Sequence, residues 1–331
     1  MLAFKMIPSD PPKAISLSIV IPIYNEAEVM PVLQQRLITV LDRMPERVEI
    51  VFVDDGSNDN SLVLAHQFDG GTSDVTVVSL SRNFGKEAAT SAGLQHAKGL
   101  AVILLDADLQ DPPELIPAMV SAWRKGFDIV NMQRRQRLGE SWIKRTSAAC
   151  FYRLLNIMSD HAIPENVGDF RLLSREVVDH INELPERNRY MKGLLNWPGF
   201  EQTTLPFDRE PRAAGDTKWN YFKLVGLAID GITSFSIKPL RLATVVGSLC
   251  AGWALTFGAW IMIKTVLWGE PMQGYPTIMI AILALGGLQL LAIGILGEYL
   301  GRVFVEVKGR PTYLVKQLEQ RKASQLVEQN Q

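Results

Sequence analysis

The 331-residue chain has only two cysteines, Cys150 and Cys250, a hundred positions apart. That spacing matches neither a zinc site nor a CxxC redox motif, so a disulfide scaffold is excluded and reduced thiols are expected. Net charge is nearly absent as well, since 34 Lys and Arg residues face 35 Asp and Glu, for a formal charge of −1. Such a balance argues against nucleic acid as a partner, because nucleic-acid binders carry a basic excess. With 47% hydrophobic residues the chain is not disordered.

Charged residues are missing from two stretches near the C-terminus, residues 242–263 and residues 271–297. A helix rises about 1.5 Å per residue, so about 20 apolar residues cross a hydrocarbon layer of about 30 Å. The two stretches predict a transmembrane hairpin with helices over about residues 242–264 and 277–297. Two helices buried in a protein core are the alternative interpretation.

Basic residues flank this hairpin unevenly. Lys238 and Arg241 precede it, and a basic segment, residues 301–331, follows it. The short loop between the two stretches contains Glu270, with Lys264 as the one dissenting charge at its edge. Because an excess of Lys and Arg marks cytoplasmic segments, both termini and the large N-terminal part are expected on the cytoplasmic side of the membrane.

Before the hairpin, apolar runs alternate with segments of helical spacing. Strands are predicted over residues 15–23, 48–53, 75–80, 100–105 and 128–132. Helices are predicted over residues 29–41, 84–97 and 113–125. Continuous Val, Ile and Leu runs separated by helices predict an α/β fold with a mostly parallel sheet covered on both faces. In such sheets ligands bind beyond the carboxyl ends of the strands.

Polar residues follow three of these predicted strands, in the segments Pro22 to Glu26, Asp54 to Ser57 and Asp106 to Gln110. The middle segment has the residue types of a turn followed by a helix cap, which is its alternative interpretation. Asp106 and Asp108 repel each other unless a cation lies between them. Magnesium and manganese ions are bound by one or two carboxylates together with substrate phosphates. The sequence therefore predicts a site for Mg²⁺ or Mn²⁺, and a sugar donor with a diphosphate fits this arrangement.

Several motifs then carry a family resemblance. IVIPIYNE, VDDGS, LSRNFGKEAA and LLDADLQDPPE occur in this order and resemble glycosyltransferase family 2, whose members have the GT-A fold. NVGDFRLLSREV, AGDTKW and GEYLGR resemble the polyprenyl-phosphate glycosyltransferases, most of all the bactoprenol glucosyltransferases of O-antigen glucosylation. The resemblance implies inverting transfer of glucose from UDP-glucose to undecaprenyl phosphate, for modification of O-antigen or another cell-envelope glycan.

The resemblance also implies roles for individual residues. The nucleotide sugar would be bound by Pro22, Tyr24, Asn25, Glu26, Asp54, Asp55, Ser57, Lys86, Asp106, Ala107 and Asp108. The metal ligands would be Asp106, Asp108 and Gln110. The catalytic residues would be Asp108 and Asp169, where Asp169 acts either as a base or by positioning the acceptor. The alternative for Asp169 is a loop residue that caps the helix near Ser174, and for Lys86 a solvated helix face.

An acceptor phosphate requires cations, since Arg binds phosphate through two hydrogen bonds and Lys acts as a point charge. The candidates are Arg134, Arg137, Arg145, Arg171 and Lys218. For the arginines in residues 134–145, attraction to anionic lipid headgroups is the alternative. Lys218 precedes an aromatic segment, and residues 216–241 are expected to form juxtamembrane helices at the membrane interface.

The expected organisation is an N-terminal extension over residues 1–15, without the apolar run of a signal peptide. It is followed by a catalytic domain over residues 16–215 and by the juxtamembrane segment. The chain then continues with the hairpin within residues 242–300 and a cytoplasmic basic tail over residues 301–331. We expect a multi-pass protein of the bacterial inner membrane. Gly297 and Gly301 form a GxxxG pair, and with the resemblance they predict a homo-oligomer such as a tetramer. Other donor sugars (GlcNAc, galactose, mannose or an aminopentose) and a non-enzymatic transport or assembly subunit are the alternative functions.

Overall fold

The computed structural model of the protein describes residues 15–135, 167–187, 189, 191–195, 199–208, 238–268 and 274–323. These residues fall into two compact units. The first unit contains the described residues up to 208 and those from Pro311 onward. The second unit contains the described residues from 238 to Arg310.

The first unit begins with alternating strands and helices. Its elements up to the end of the fifth strand are β1 (Leu17–Ile23), α1 (Met30–Leu41), β2 (Val48–Asp54), α2 (Ser61–Gln67), β3 (Asp74–Leu80), α3 (Lys86–His96), β4 (Ala101–Leu104), a 3₁₀ turn (Pro113–Leu115), α4 (Ile116–Arg124) and β5 (Ile129–Arg134). The later elements are β6 (Val167–Ser174), α5 (Arg175–Glu183), α6 (Met191–Leu194), β7 (Gln202–Phe207) and β8 (Val315–Arg321).

The strands of the described residues form one eight-stranded sheet in the order β7-β5-β6-β4-β1-β2-β3-β8. Strand β1 pairs in parallel with β2 and β4, β2 pairs in parallel with β3, and β5 pairs in parallel with β7. Strand β6 runs antiparallel to β4 and β5, and β8 runs antiparallel to β3. Every residue of β2 is buried, as expected for a strand covered on both faces. The predicted α/β class with a mostly parallel sheet is confirmed.

Close packing of α3 on the sheet depends on Gly93. A Cβ atom at this position would lie 2.2 Å from Cγ1 of Val20 and 3.2 Å from Cγ2 of Val53. Since Cβ contacts this short do not occur in real structures, any side chain would push α3 away from β1 and β2. The close packing also sets the distance between the sheet and Lys86, the first residue of this helix, which lies beside the carboxyl end of the sheet.

The C-terminal strand β8 closes one edge of the sheet. The Arg321 guanidinium donates hydrogen bonds to the carbonyls of Ala65 and Phe68 at the end of α2, at 3.2 Å each. The backbone N–H of Ala323 donates to Asp74, and the Tyr313 hydroxyl contacts the Gln95 side chain. Of the segment expected as a tail over residues 301–331, residues 311–323 are thus part of the first unit, whereas residues 301–308 continue the last long helix of the second.

The described residues of the second unit form the long helices α7 (Lys238–Trp268) and α8 (Tyr275–Lys308), which pack against each other. Helix α8 ends at Gly309, whose φ of 67° is the left-handed conformation that glycine adopts at helix C-termini. Most of each charge-free stretch lies in these two helices. Within the residues that the structure describes, no helix combines the length and the hydropathy that a membrane span requires, so the expected transmembrane pair is not confirmed.

Candidate active site

The loops that follow β1 and β2 are joined by hydrogen bonds. The backbone N–H of Asn25 donates to Oγ of Ser57 at 3.0 Å, and Oδ1 of Asn25 accepts from the backbone N–H of Asn58 at 2.8 Å. The backbone N–H of Glu26 donates to Oγ of Ser61 at 2.8 Å. Asn25 has a φ of 55°, a left-handed conformation that Asn tolerates better than most residues. Together these contacts fix the first two predicted nucleotide-binding segments against each other.

The two aspartates that follow β2 have different environments. Asp54 accepts a hydrogen bond from the backbone N–H of Ser57 at 3.2 Å. This contact is typical of a turn and agrees with the turn interpretation of this segment. Asp55 accepts from the backbone N–H groups of Phe84 and Gly85, at 2.7 and 2.9 Å. Burial raises the pKa of the Asp55 carboxyl, and these two hydrogen bonds oppose part of that effect. Asp55 therefore anchors the loop that leads into α3.

At the centre of the site Lys86 bridges two carboxylates. Its Nζ lies 2.7 Å from Oδ1 and 2.8 Å from Oδ2 of Asp106, and 2.6 Å from Oδ2 of Asp169. Burial lowers the pKa of Lys86, but the two carboxylates outweigh that effect and raise it above its ordinary value. The ammonium is therefore charged at neutral pH. Lys86 is thus an exposed side chain, as on a solvated helix face, that is nevertheless bound to two carboxylates, and its sequence position alone does not predict this bridge.

Asp169 reaches the site from a strand. It lies in β6, and its carboxylate accepts from the Lys86 ammonium. The helix cap is provided by Ser174, whose Oγ accepts from the backbone N–H of Val177 at the start of α5. The alternative in which Asp169 is a capping loop residue is therefore wrong.

The DxD segment turns sharply after β4. Oδ1 of Asp108 accepts from the backbone N–H of Gln110 at 3.2 Å, and the intervening Leu109 is buried with a φ of 57°. A left-handed φ at a buried leucine is a strained backbone, and strain of this kind accumulates at functional sites. Ala107 is buried, whereas Asp106 and Asp108 are partly accessible.

This donor set fits a divalent cation whose coordination is completed by substrate. In the described part of the chain no group of three or more His, Cys, Asp or Glu residues is arranged to hold a metal ion. The two carboxylates of Asp106 and Asp108 are hard oxygen ligands, and Mg²⁺ sites in nucleotide-dependent enzymes use one or two carboxylates plus phosphate oxygens. The residues present therefore match a cation that arrives with a diphosphate.

Two of the five cations predicted for the acceptor phosphate are described by the structure. Arg134, at the end of β5, lies 3.8 Å from Asp111 and over Gly168, where a Cβ would be 3.1 Å from its Nη2. Arg171 is 1% exposed and donates to the carbonyl of Gly168 at 2.8 Å, so it lies beneath the surface of the site. The remaining three predicted cations lie outside the described residues; they are Arg137, Arg145 and Lys218.

A small cavity of about 10 Å³ lies at the centre of the site. Its lining includes the predicted residues Pro22, Lys86, Asp106, Asp169 and Arg171. Six lining residues were not predicted as site residues: Glu87, Thr90, Leu104, Leu105, Met191 and Leu195. The Glu87 carboxylate accepts from the backbone N–H of Met191 at 3.2 Å and so ties α6 to α3. Glu87 could have been found from its place in the LSRNFGKEAA motif, whereas no local pattern marks Met191 or Leu195.

Comparison with known families and proteins agrees with this geometry. A model of Glycosyl transferase family 2 matches residues 18–181, and a model of the GtrB C-terminal hairpin matches residues 238–303. The uncharacterized glycosyltransferase sll0501 of Synechocystis is 50% identical over 304 residues, which cover 92% of this chain and 96% of the relative.

Two further relatives extend the comparison. The SfII prophage-derived bactoprenol glucosyl transferase of Shigella flexneri is 47% identical over 302 residues, 91% of this chain and 97% of the relative. The putative glycosyltransferase CsbB of Bacillus subtilis is 38% identical over 301 residues, 91% of both chains. The chain therefore belongs to glycosyl transferase family 2, with a GT-A catalytic domain and the GtrB C-terminal hairpin.

Proposed function

We propose that the protein transfers glucose from UDP-glucose to undecaprenyl phosphate and releases UDP. The observation that carries the proposal is the cluster of Lys86, Asp106 and Asp169 at the carboxyl end of the sheet, next to Asp108. Relatives named bactoprenol glucosyl transferase share 47% identity over most of this chain, which supports the choice of sugar and lipid.

The donor would lie along the ends of β1, β2 and β4. The loops after β1 and β2 are joined by hydrogen bonds and would form one surface that contacts the nucleotide. Tyr24 belongs to this surface and is 39% exposed, so a base or ribose can reach it. Asp106 and Asp108, with Gln110 beside them, would hold Mg²⁺ or Mn²⁺ together with the diphosphate. When bound, the cation supplies charge neutralisation for the leaving diphosphate. Lys86 adds a positive charge of the chain itself at the same place.

In the proposed reaction an oxygen of the acceptor phosphate forms a bond to the anomeric carbon of glucose while the bond to the UDP oxygen breaks. The single displacement inverts the configuration and gives a β-linked lipid phosphate sugar. A phosphate monoester has a second pKa of about 6, so the acceptor is largely ionised at neutral pH. Asp169 therefore has little proton to accept, and its proposed role is to position the acceptor side of the site through Lys86.

The acceptor is proposed to reach the site at a membrane surface. The charge-free stretches and the basic residues that flank them support a hairpin in the bacterial inner membrane, with the catalytic domain and both termini in the cytoplasm. Arg134 is the described cation closest to this role, and Arg137, Arg145 and Lys218 are further candidates from the sequence. A homo-oligomer, such as a tetramer, is part of the proposal on the strength of the GxxxG pair.

A transfer assay with labelled donors tests the function directly. Full-length protein in detergent, undecaprenyl phosphate and Mg²⁺ are incubated with UDP-glucose, UDP-GlcNAc, UDP-galactose or GDP-mannose, with and without EDTA. We expect labelled lipid from UDP-glucose alone, and only without EDTA. Product from another donor would replace the sugar, and no lipid product from any donor would refute the proposed reaction.

Replacing one carboxylate tests the metal site. Asp108→Asn keeps the size of the side chain but removes its charge, so transfer should fall by roughly 100-fold or more, because a metal ion contributes several kcal/mol of charge stabilisation. Asp69→Asn, at an exposed turn outside the site, is the matched control and should keep wild-type activity. Normal turnover by a folded Asp108→Asn variant would rule out the metal assignment.

A further inference from the structure

One of the two proposed metal ligands is already paired with a cation of the chain. Both carboxylate oxygens of Asp106 lie within 2.8 Å of the Lys86 ammonium. The same ammonium lies 2.6 Å from Asp169 on the neighbouring strand β6, so it is paired with two carboxylates. A divalent cation that binds Asp106 must therefore share this carboxylate with Lys86 or replace it.

Charge favours replacement over sharing. A divalent ion and an ammonium beside the same carboxylate repel each other, because like charges at a few ångströms interact strongly in a partly desolvated site. The ion thus gains full access to Asp106 only after the ammonium has moved.

The lysine is able to move. Its side chain is 46% exposed, and it projects from the first residue of α3, directly after Gly85. The backbone of Gly85 is held by Asp55, so the movement is confined to the lysine side chain. A lysine ammonium on a flexible four-carbon stem can change partners without unpacking the core.

We infer that Lys86 keeps the divalent cation out of the donor-free protein and releases Asp106 when the donor arrives. The diphosphate offers the ammonium a new anionic partner and brings the oxygen ligands that complete the coordination of the cation. Donor and cation consequently bind with positive coupling, and by thermodynamic reciprocity each tightens the binding of the other. This inference rests on the proposed function, since it requires a donor diphosphate and a cation at this site.

Binding of Mn²⁺ to the full-length protein in detergent tests the inference without any turnover. The free and bound ion are measured by electron paramagnetic resonance for the wild type, Lys86→Met, Lys86→Arg and the control Lys125→Met, each with and without UDP. Lys125 is an exposed lysine outside the site, so its replacement removes the same charge elsewhere.

Without UDP we expect Lys86→Met to bind Mn²⁺ roughly tenfold or more tightly than the wild type, because a competing positive charge is gone. Lys86→Arg keeps that charge and should stay within about threefold of the wild type, as should Lys125→Met. Addition of UDP should tighten Mn²⁺ binding more in the wild type than in Lys86→Met. Lys86→Gln replaces Lys86→Met if the latter does not fold.

Three results would overturn the inference. Equal Mn²⁺ affinity of the donor-free wild type and Lys86→Met would do so while leaving the proposed function intact, provided that UDP and Mn²⁺ still bind together. Tight donor-free binding by Lys86→Arg would show that the lysine charge is not the cause. A lack of Mn²⁺ binding in all proteins, even with UDP, would overturn both the inference and the proposed metal site.

Discussion

Replacing Asp55 by alanine should loosen the loop that delivers Lys86 to the site. The Asp55 side chain is 4% exposed, and its carboxylate accepts from the backbone N–H groups of Phe84 and Gly85. Lys86 is the next residue and the first of α3. The substitution therefore removes both acceptors that hold the chain immediately before the bridging lysine.

The expected loss of stability follows from these two hydrogen bonds. Leaving a buried donor without its acceptor costs about 1–3 kcal/mol, and Phe84 and Gly85 are partly reached by water, which favours the lower end of that range. Burial of the carboxylate, which raises the pKa of Asp55, offsets part of the loss because alanine is not penalised in this way. We expect a net loss of about 1–3 kcal/mol, or a decrease of roughly 2–12 °C in Tm for a unit of this size.

Thermal unfolding and calorimetric binding of UDP measure the two effects of Asp55→Ala. We expect a lower Tm together with weaker UDP binding, since the anchored loop is part of the proposed donor site. Asp69→Ala removes a carboxylate that also accepts a backbone N–H, from Gly71, but at an exposed turn. Its effect should be below about 1 kcal/mol. A Tm and a UDP affinity of Asp55→Ala equal to those of the wild type would refute the reasoning.

Two further predictions concern pH and the C-terminal strand. Because the pKa of Asp55 is raised in the folded protein, its contribution to stability falls as the pH rises from its ordinary pKa through the raised one. The stability of the wild type relative to Asp55→Asn should therefore decrease as the pH rises above 3.8, the ordinary pKa of this carboxyl, and a difference that is constant or increases would contradict this. A chain that ends after Arg310 lacks β8 and its hydrogen bonds to α2, so its catalytic unit should lose roughly 3 kcal/mol or more by thermal unfolding. A chain that ends after Ala323 keeps β8 and is the matched control, and equal Tm values for the two truncations would show that β8 adds nothing.

The first five strands were predictable because strands that are buried in a parallel sheet consist of continuous apolar residues. The predicted ranges 48–53 and 75–80 differ from β2 and β3 by a single residue at one end. The strand β8 was not predictable, because its sequence VKQLEQR is polar and largely exposed. Its strand conformation comes from pairing with β3, which lies far away in the sequence, and from the contacts of Arg321 with α2.

The candidate site was predictable only in part. Asp106 and Asp108 are conspicuous because two acids follow an apolar strand, and the motif resemblance supplied Asp169. No local sequence pattern predicts the bridge that Lys86 forms, because a single lysine at the start of a helix is typical of a solvated surface. It arises only because Gly93 seats α3 closely on the sheet and because β6 inserts beside β4. Both are tertiary contacts, which cannot be predicted from the spacing of residues along the sequence.

The pairing of β8 with β3 also determines when the sheet can be completed during synthesis. Val75 of β3 pairs with Arg321 of β8, about 250 positions later in the sequence. Until the ribosome has produced both long helices and the residues after them, β3 is an unpaired sheet edge with the apolar sequence DVTVVSL. Exposed apolar edges promote association with other chains, and long-range pairing is slow. The nascent catalytic unit is therefore most prone to aggregation late in translation, when the rest of its core is already complete.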